Sequence, residues 1–212
     1  FDLPKEFISL ANEDLPLAIL PALNYLKNRG ITKKDILRWK IGCCMHGDYN
    51  NRVIIPSFDE EGYINYFVAR TFNGAWKKYL NPPVSKDIIF NELYLDLDQD
   101  LVIVEGIFDA IVAGPNAVPI LGSTLRENSK LFQQIVKNDT IVYIGLDIDA
   151  EIKSKKIIRD LLNYGIEVYK INTFGYDDVG SMTKEEYSKR KNEAALYESN
   201  DYLLYESLGE IK

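Results

Sequence analysis

The decisive stretch of the chain reads Leu101-Val-Ile-Val-Glu105-Gly106-Ile-Phe-Asp109, an apolar run that ends in carboxylates. The same arrangement returns in Ile141-Val-Tyr-Ile-Gly-Leu-Asp147-Ile-Asp149. Continuous apolar runs of this kind predict buried parallel strands, which bring their carboxyl ends to one edge of a sheet, where open α/β folds build their sites. We therefore expect Glu105, Asp109, Asp147 and Asp149 to face one another.

Strands alternate with helices around these two runs. The pattern predicts strands over 101–104, 117–121, 140–146 and 166–171, with helices over 107–114, 125–137 and 151–163. Thr124 and Glu127 have capping-box spacing and predict the start of the second helix, while Gly165 predicts the end of the third. A βαβαβαβ order is typical of an α/β, Rossmann-like fold with a mostly parallel sheet.

The residues on either side of this section have different patterns. Residues 15–40 predict two helices, with Gly30 ending the first and Thr32 capping the second. Residues 52–80 predict an antiparallel hairpin around a turn at 59–62. We therefore divide the chain into an α+β, helical and β-rich basic subdomain over 1–98, an α/β catalytic subdomain over 99–182, and a short helical tail over 183–212 that begins at a Thr183 cap.

Composition excludes several classes of site and protein. The chain has 212 residues, a net charge of −7, one histidine and two adjacent cysteines, Cys43 and Cys44. This inventory argues against a structural zinc site, a disulfide framework and a histidine-based triad. No apolar run is long enough to cross a membrane and no signal peptide opens the chain. We therefore expect a soluble intracellular protein, cut from a longer one because it begins at Phe1.

The four acids that we expect to face one another need a partner that neutralises their negative charge. Each like-charge pair within about 5 Å costs on the order of 3 kcal/mol at an effective dielectric near 20. Single acids after strands often only cap helices, but the joint pattern favours either raised pKa values or bound divalent cations. A donor set of oxygens alone favours Mg²⁺ or Mn²⁺, and two such ions suit phosphate chemistry. Asp177 and Asp178 follow the next strand and could form a third corner of the site.

The hairpin region supplies the opposite charge. Residues 62–86 contain four basic residues and no acid, and Arg52 lies just upstream. Aromatic residues lie between the basic ones, and this mixture is typical of surfaces that hold phosphates and stack bases. We expect about half of these aromatics to be core residues. The basic residues of the segment are Arg70, Lys77, Lys78 and Lys86.

These motifs resemble the bacterial-type (DnaG-like) DNA primases and their phage relatives, whose catalytic core contains a Toprim subdomain. The Toprim signature is similar to Val104-Glu105-Gly106-x-x-Asp109 together with Asp147-x-Asp149. Toprim domains also occur in topoisomerases, gyrases, RecR-type recombination proteins and OLD-type nucleases. This signature alone therefore indicates the chemistry and not the enzyme.

The upstream residues narrow the resemblance to primases. Arg52-Val-Ile-Ile-Pro56 is similar to a primase strand, and Lys78-Tyr-Leu-Asn81-Pro-Pro resembles the family's Lys-Tyr-Leu-Asn-Ser-Pro. Two departures stand out: Ala69 replaces the usual glycine before Arg70, and the adjacent pair Asp177-Asp178 replaces an Asp-x-Asp. The similarity runs in order from about residue 24 to residue 182, and that order is more specific than any one motif.

The resemblance implies roles for individual residues. It implies catalytic and metal-binding roles for Glu105, Asp109, Asp147 and Asp149, with Asp177 or Asp178 as a further ligand. It implies contacts of Arg52, Arg70, Lys77, Lys78 and Asn81 with the phosphates of nucleic acid or nucleotide. Two or more Mg²⁺ or Mn²⁺ ions would be the cofactors.

The implied activity is synthesis of RNA primers on single-stranded DNA from ribonucleoside triphosphates, by a nucleotidyltransferase of DNA replication. A replicative helicase and a single-strand-binding protein are the expected partners, without a membrane, in the bacterial or phage-infected host cytoplasm. Two alternatives stay open: a Toprim nuclease or topoisomerase-like DNA enzyme, and a non-catalytic nucleic-acid-binding module. The family's zinc-binding module has no counterpart in this sequence, which we expect to be a fragment of the phage type.

Overall fold

A computed structural model of the protein describes residues 1–198. The chain divides into two compact units, Phe1–Leu93 and the part that begins at Tyr94. The three-part division expected from the sequence stays a prediction, and residues 199–212 of its tail lie outside the described part. No helix among residues 1–198 has the length and apolar character needed to cross a membrane.

The first unit combines two helices with an antiparallel sheet. Its elements are β1 (Ile8–Ser9), α1 (Leu20–Asn28), α2 (Lys33–Arg38), β2 (Gly42–Cys44), β3 (Arg52–Phe58) and β4 (Ile64–Thr71). The strands lie in the order β1-β2-β3-β4, so the hairpin expected over 52–80 is present. Its core contains Cys44, Ile54, Phe67 and Ala69.

The start of α2 follows its sequence signature closely. The Thr32 hydroxyl accepts a hydrogen bond from the Asp35 backbone N–H, and the Asp35 carboxylate accepts one from the Thr32 N–H, so two N–H groups that the helix leaves unpaired are satisfied. Gly30, with φ +73, lies just beyond the end of α1. The two cysteines are free and buried, and burial raises the pKa of the Cys44 thiol to about 12, so neither supplies a reactive thiolate.

The second unit is a five-stranded, mostly parallel α/β sheet. Its elements are β5 (Leu101–Val104), α3 (Ile107–Ala113), β6 (Ala117–Pro119), α4 (Lys130–Asn138), β7 (Val142–Gly145), α5 (Glu151–Asn163), β8 (Val168–Lys170), α6 (Lys184–Asn192) and β9 (Ala195–Tyr197). The strand order is β6-β5-β7-β8-β9, with parallel pairs throughout except β8 with β9. The predicted strands and helices are present; β5 has the predicted bounds, and β6, β7 and β8 are shorter than expected.

Strand β5 lies at a topological switch point of the sheet. It pairs with β6 on one side and with β7 on the other, so the chain leaves β5 in one direction and returns on the opposite side. In open α/β sheets, a crevice forms at the carboxyl ends of strands where the order reverses. The predicted acids follow β5 and β7, so they are delivered to that crevice.

Two further differences from the sequence predictions concern helix α4 and the residues after α6. Helix α4 begins at Lys130, not near 125, because the Ser129 hydroxyl caps it and the Thr124–Glu127 pair does not. From Ser129 onward the apolar residues Leu131, Phe132 and Ile135 share a buried face, which holds the helix against the unit. After α6, residues 195–197 form an antiparallel edge strand where we expected helix, because backbone pairing with β8 satisfies them.

Candidate active site

Two of the predicted acids leave adjacent strand ends. Glu105 directly follows β5, and Asp147 lies two residues beyond β7. Val104 and Gly145 are register partners in these strands. Glu105 is half-buried and contributes to the raised pKa of Asp147, so the two carboxylates are close enough to repel each other.

Asp109 is the most enclosed of the acids. It lies in the first turn of α3, and its side chain accepts hydrogen bonds from the backbone N–H groups of Gly106 (2.7 Å) and Gly180 (2.6 Å). Burial, followed by repulsion from Asp178, raises its pKa to about 7, against the opposing effect of the two N–H donors. Both carboxylate oxygens are therefore fixed in place, although the charge is poorly solvated.

Asp147 has an oxygen without a partner. Its Oδ1 is buried, and no described residue donates a hydrogen bond to it. Burial, then repulsion from Asp178 and Glu105, raises the pKa of this carboxyl group to about 6. A buried, unsatisfied carboxylate oxygen is costly unless a cation or donor reaches it. A bound cation or a hydrogen-bond donor would satisfy this oxygen.

Of the two acids that follow β8, Asp178 and not Asp177 affects the other carboxylates of the cluster. Asp178 is half-buried and begins a 3-10 turn over Val179–Ser181, and it raises the pKa of both Asp109 and Asp147. Asp177 is exposed and is not among the causes of either shift. Asp149 is also exposed. It contributes to the raised pKa of Asp147 but is not among the causes of the shift at Asp109, so we place it at the edge of the cluster.

Sequence reasoning missed one basic side chain in this cluster. Lys153, on α5, donates from Nζ to both carboxylate oxygens of Glu105, at 2.8 and 3.1 Å. It also opposes the rise in the pKa of Asp147. The sequence alone did not predict this pairing, because Lys153 and Glu105 are 48 residues apart.

The donor set fits a hard divalent cation in its chemistry. Carboxylate oxygens without histidine or thiolate are the ligands that Mg²⁺ and Mn²⁺ prefer, and the unpartnered Asp147 oxygen offers one. In the arrangement seen for residues 1–198, however, no three acidic, histidine or cysteine groups converge to hold one ion. Binding would therefore require side-chain movement, and Glu105 is engaged by Lys153.

Two of the five predicted phosphate-binding residues are used within the fold of the first unit. Arg52 is buried, and its guanidinium donates to the carbonyl oxygens of Lys77 (2.9 Å) and Lys78 (3.2 Å). Burial lowers its pKa. The Asn81 side chain accepts a hydrogen bond from the Ala69 N–H (3.2 Å). Both residues hold the segment that follows β4 against the hairpin.

The other three predicted residues are more accessible. Arg70 is half-buried, donates from Nε to the Tyr25 hydroxyl (3.1 Å) and lies over the Tyr79 ring, 4.8 Å from its centroid. The side chains of Lys77 and Lys78 are exposed.

The aromatics of this segment divide as expected between core and surface. Tyr66 and Phe67 are buried, whereas Trp76 is 100% exposed beside the two lysines. An aromatic and basic surface therefore remains, made of Arg70, Trp76, Lys77, Lys78 and Tyr79.

Curated proteins similar to this chain are bacterial DNA primases. The chain is 24% identical to the DNA primase of Thermotoga maritima over 183 residues, covering 78% of this chain and 32% of that protein. It is 27% identical to the DNA primase of Clostridium acetobutylicum over 173 residues, covering 70% of this chain and 28% of that protein. The chain thus spans about a third or less of the length of these relatives. No family model matches it.

Solved structures with the same fold are primase catalytic domains. A DnaG primase catalytic domain bound to single-stranded DNA superposes with a TM-score of 0.74 at 20% identity, covering 91% of this chain and 76% of that one. The Escherichia coli primase catalytic core gives a TM-score of 0.73 at 18% identity, covering 92% and 79%. The expected fold and the resemblance to bacterial-type primases are confirmed.

Proposed function

We propose that this chain, which has the fold of the DnaG primase catalytic core, is a nucleotidyltransferase that makes RNA primers on single-stranded DNA. The observation that carries the proposal is the acidic cluster at the carboxyl ends of β5 and β7, where Asp109 and Asp147 have raised pKa values and an oxygen of Asp147 lacks a partner. Crowded, poorly solvated carboxylates in a crevice are typical of functional sites. The primase relatives support the reaction class.

The acids would hold two Mg²⁺ or Mn²⁺ ions. Glu105, Asp109, Asp147 and Asp178 form the inner group, and Asp149 joins them from the rim. When bound, the ions would activate a primer 3′-hydroxyl and stabilise the charge on the pyrophosphate leaving group. We assign Asp178 rather than Asp177 to this group, because only Asp178 repels both Asp109 and Asp147.

Each acid has a different part in that assembly. Hydrogen bonds from two backbone N–H groups hold the Asp109 carboxylate, so this ligand would keep a fixed position in the site. Asp147 provides oxygen lone pairs that no protein group uses. In the reaction, the 3′-oxygen forms a bond to the α-phosphorus of the incoming ribonucleoside triphosphate, the bond to the β-phosphate oxygen breaks, and the hydroxyl proton passes to solvent.

The basic surface of the first unit would hold the phosphates of template, primer or nucleotide. Arg70, Lys77 and Lys78 are the contacting residues, with Trp76 available to stack on a base. Arg52 and Asn81 act through the loop they hold rather than by touching phosphate. Support comes from the exposure of Lys77 and Lys78 and from the absence of acids over residues 62–86.

The proposed primer synthesis also indicates which partners the protein would have and where in the cell it would act. A replicative helicase and a single-strand-binding protein would prepare the single-stranded template, and ribonucleoside triphosphates would be the substrates. The protein would act in the bacterial or phage-infected host cytoplasm, where replication takes place.

One assay tests the function against its rivals. The protein is incubated with unlabelled single-stranded DNA, labelled ribonucleotides and Mg²⁺ or Mn²⁺, and we expect new labelled oligonucleotides. A nuclease would instead shorten a labelled strand, and a binding module would give no product. Asp147→Asn should lower synthesis at least a hundredfold, because it removes a cation-binding charge, while the melting temperature in EDTA should be no lower than that of the parent. Full activity of this variant would contradict the site.

A further inference from the structure

We propose that Lys153 is a built-in counter-ion of the acidic site, holding Glu105 in the metal-free protein and releasing it when a divalent cation binds. This inference rests on the proposed function, because it concerns the same cluster of carboxylates. It adds a regulatory part to that cluster: the lysine competes with the metal for one carboxylate and stabilises the cluster until the metal arrives.

The Lys153 ammonium is within hydrogen-bonding distance of both carboxylate oxygens of Glu105. The ammonium lies 2.8 and 3.1 Å from the two carboxylate oxygens, and the side chains of Lys153 and Glu105 are 28% and 20% exposed. Partial burial weakens solvent screening, so the pair is stronger than a surface ion pair. Glu105 therefore has both oxygens occupied while the metal is absent.

Two other lysines nearby on α5 form ion pairs with residues of their own helix. Lys155 lies 4.0 Å from Glu151, and Lys156 pairs with the buried carboxylate of Asp160. Lys153 differs because it reaches the site acids: it pairs with Glu105 and lowers the pKa of Asp147 against the effect of burial.

A lysine suits a counter-ion that must leave. Its ammonium is a compact charge on a flexible four-carbon stem, so it can withdraw towards solvent without moving the backbone of α5. An ammonium satisfies one or two carboxylates, whereas a divalent cation can draw several together. Once the cation is bound, the lysine is repelled from the site, and Glu105 becomes available as a ligand.

Two effects of opposite sign follow when the positive charge of Lys153 is removed. The metal-free protein should melt at a lower temperature, because the acids lose their internal cation. The metal should bind more tightly, by about threefold to tenfold, because it no longer displaces a competing charge. A salt bridge with a structural role alone would produce the first effect without the second.

The experiment compares Lys153→Gln with two controls. Lys155→Gln removes the same charge from the same helix, and Lys153→Arg keeps the charge at the same position. Mn²⁺ binding is measured from the electron paramagnetic resonance signal of free Mn²⁺, without DNA or nucleotide. Melting temperatures are measured in EDTA and in saturating Mn²⁺. We expect tighter Mn²⁺ binding and lower EDTA stability for Lys153→Gln, with both controls close to the parent protein.

A double-mutant cycle keeps the test decisive if Lys153→Gln is poorly stable. In a Glu105→Gln background, the same lysine substitution should have little effect on the melting temperature in EDTA, because its carboxylate partner is already gone. An equal effect in both backgrounds would overturn the proposal. The same conclusion would follow from an unchanged or weaker Mn²⁺ affinity in Lys153→Gln.

The two proposals can fail separately. Normal primer synthesis by the parent protein, combined with an unchanged Mn²⁺ affinity in Lys153→Gln, overturns the counter-ion role alone. A parent protein that neither binds Mn²⁺ nor makes primers overturns the proposed function and the counter-ion role with it.

Discussion

Asp109 and Asp147 make the stability of the metal-free protein depend on pH. Their pKa values rise from 3.8 to about 7 and about 6, with burial as the largest cause of each shift. The folded protein therefore binds more protons than the unfolded chain between about pH 4 and pH 7, so the free energy of unfolding falls as the pH rises through that window. We expect the melting temperature in EDTA to fall accordingly.

Asp147→Asn provides the control for this pH dependence. The amide carries no charge, so the variant should lose less stability than the parent protein as the pH is raised from about 4 to about 7. Saturating Mg²⁺ should also reduce the fall in the parent, because a bound cation favours the ionised carboxylates. Identical melting curves for parent and variant across the range would contradict the assignment.

Gly180 controls the position of Asp109. A Cβ atom at residue 180 would lie 2.8 Å from Asp109 Oδ1, too close for a real contact, and the carboxylate there is buried and hydrogen-bonded. We expect Gly180→Ala to displace Asp109 and lower primer synthesis by about tenfold or more, since small displacements in a catalytic site are costly. Binding of single-stranded DNA, measured by fluorescence anisotropy, should stay unchanged. A variant with full synthesis would show that Asp109 tolerates the displacement.

At the scale of secondary structure, Arg52 ties the loop after β4 to the hairpin. Its guanidinium donates to two successive carbonyl oxygens, those of Lys77 and Lys78, and a lysine cannot reproduce this fork. Arg52→Lys should therefore lower the free energy of unfolding by roughly 1–3 kcal/mol, because a buried charge and two carbonyl oxygens lose hydrogen bonds. Urea denaturation measures this change.

Lys78→Gln is the matched comparison for Arg52→Lys. Its side chain is exposed, so we expect stability within about 0.5 kcal/mol of the parent and weaker binding of nucleic acid. The opposite pattern, a destabilised Lys78→Gln and a stable Arg52→Lys, would reverse the roles assigned to the two residues.

The elements that could be predicted from sequence are those fixed by local pattern. The strands at 101–104 and 142–145 follow from apolar runs, and the cap at Thr32 follows from spacing alone. The start of α4 could not be predicted, because Thr124 and Ser129 both offer plausible caps. The burial of Leu131, Phe132 and Ile135 against the rest of the unit decides between them.

The candidate site shows the same limit. Spacing brings Glu105 and Asp147 to one edge because adjacent parallel strands end there. The choice of Asp178 over Asp177, the pairing of Lys153 with Glu105 and the use of Arg52 within the fold depend on contacts between distant parts of each unit. No local sequence signal contains those contacts, and a family motif records residue types without their partners.

At the scale of the whole molecule, binding of nucleic acid has to overcome a net charge of −7. A chain of this charge attracts phosphate only where basic residues cluster, so affinity should depend strongly on salt and on few residues. Lys77 and Lys78 are exposed and lie in the acid-free segment. Replacing both by glutamine should reduce the slope of log affinity against log salt by about 1.4 for a single strand.

The fluorescence of Trp76, which belongs to the aromatic and basic surface, can report the binding of single-stranded DNA. The chain has two tryptophans, of which Trp39 is 3% and Trp76 is 100% exposed. In a Trp39→Phe variant, we expect a deoxythymidine oligomer to quench the remaining emission as a base stacks on the Trp76 ring, with quenching that weakens as salt is raised. Lys33→Gln/Lys34→Gln is the control, because it removes two exposed charges from α2, outside the acid-free segment. If this control lowers the salt slope as much as the Lys77 and Lys78 substitutions, or if the oligomer binds without quenching Trp76, single-stranded DNA does not bind to the aromatic and basic surface.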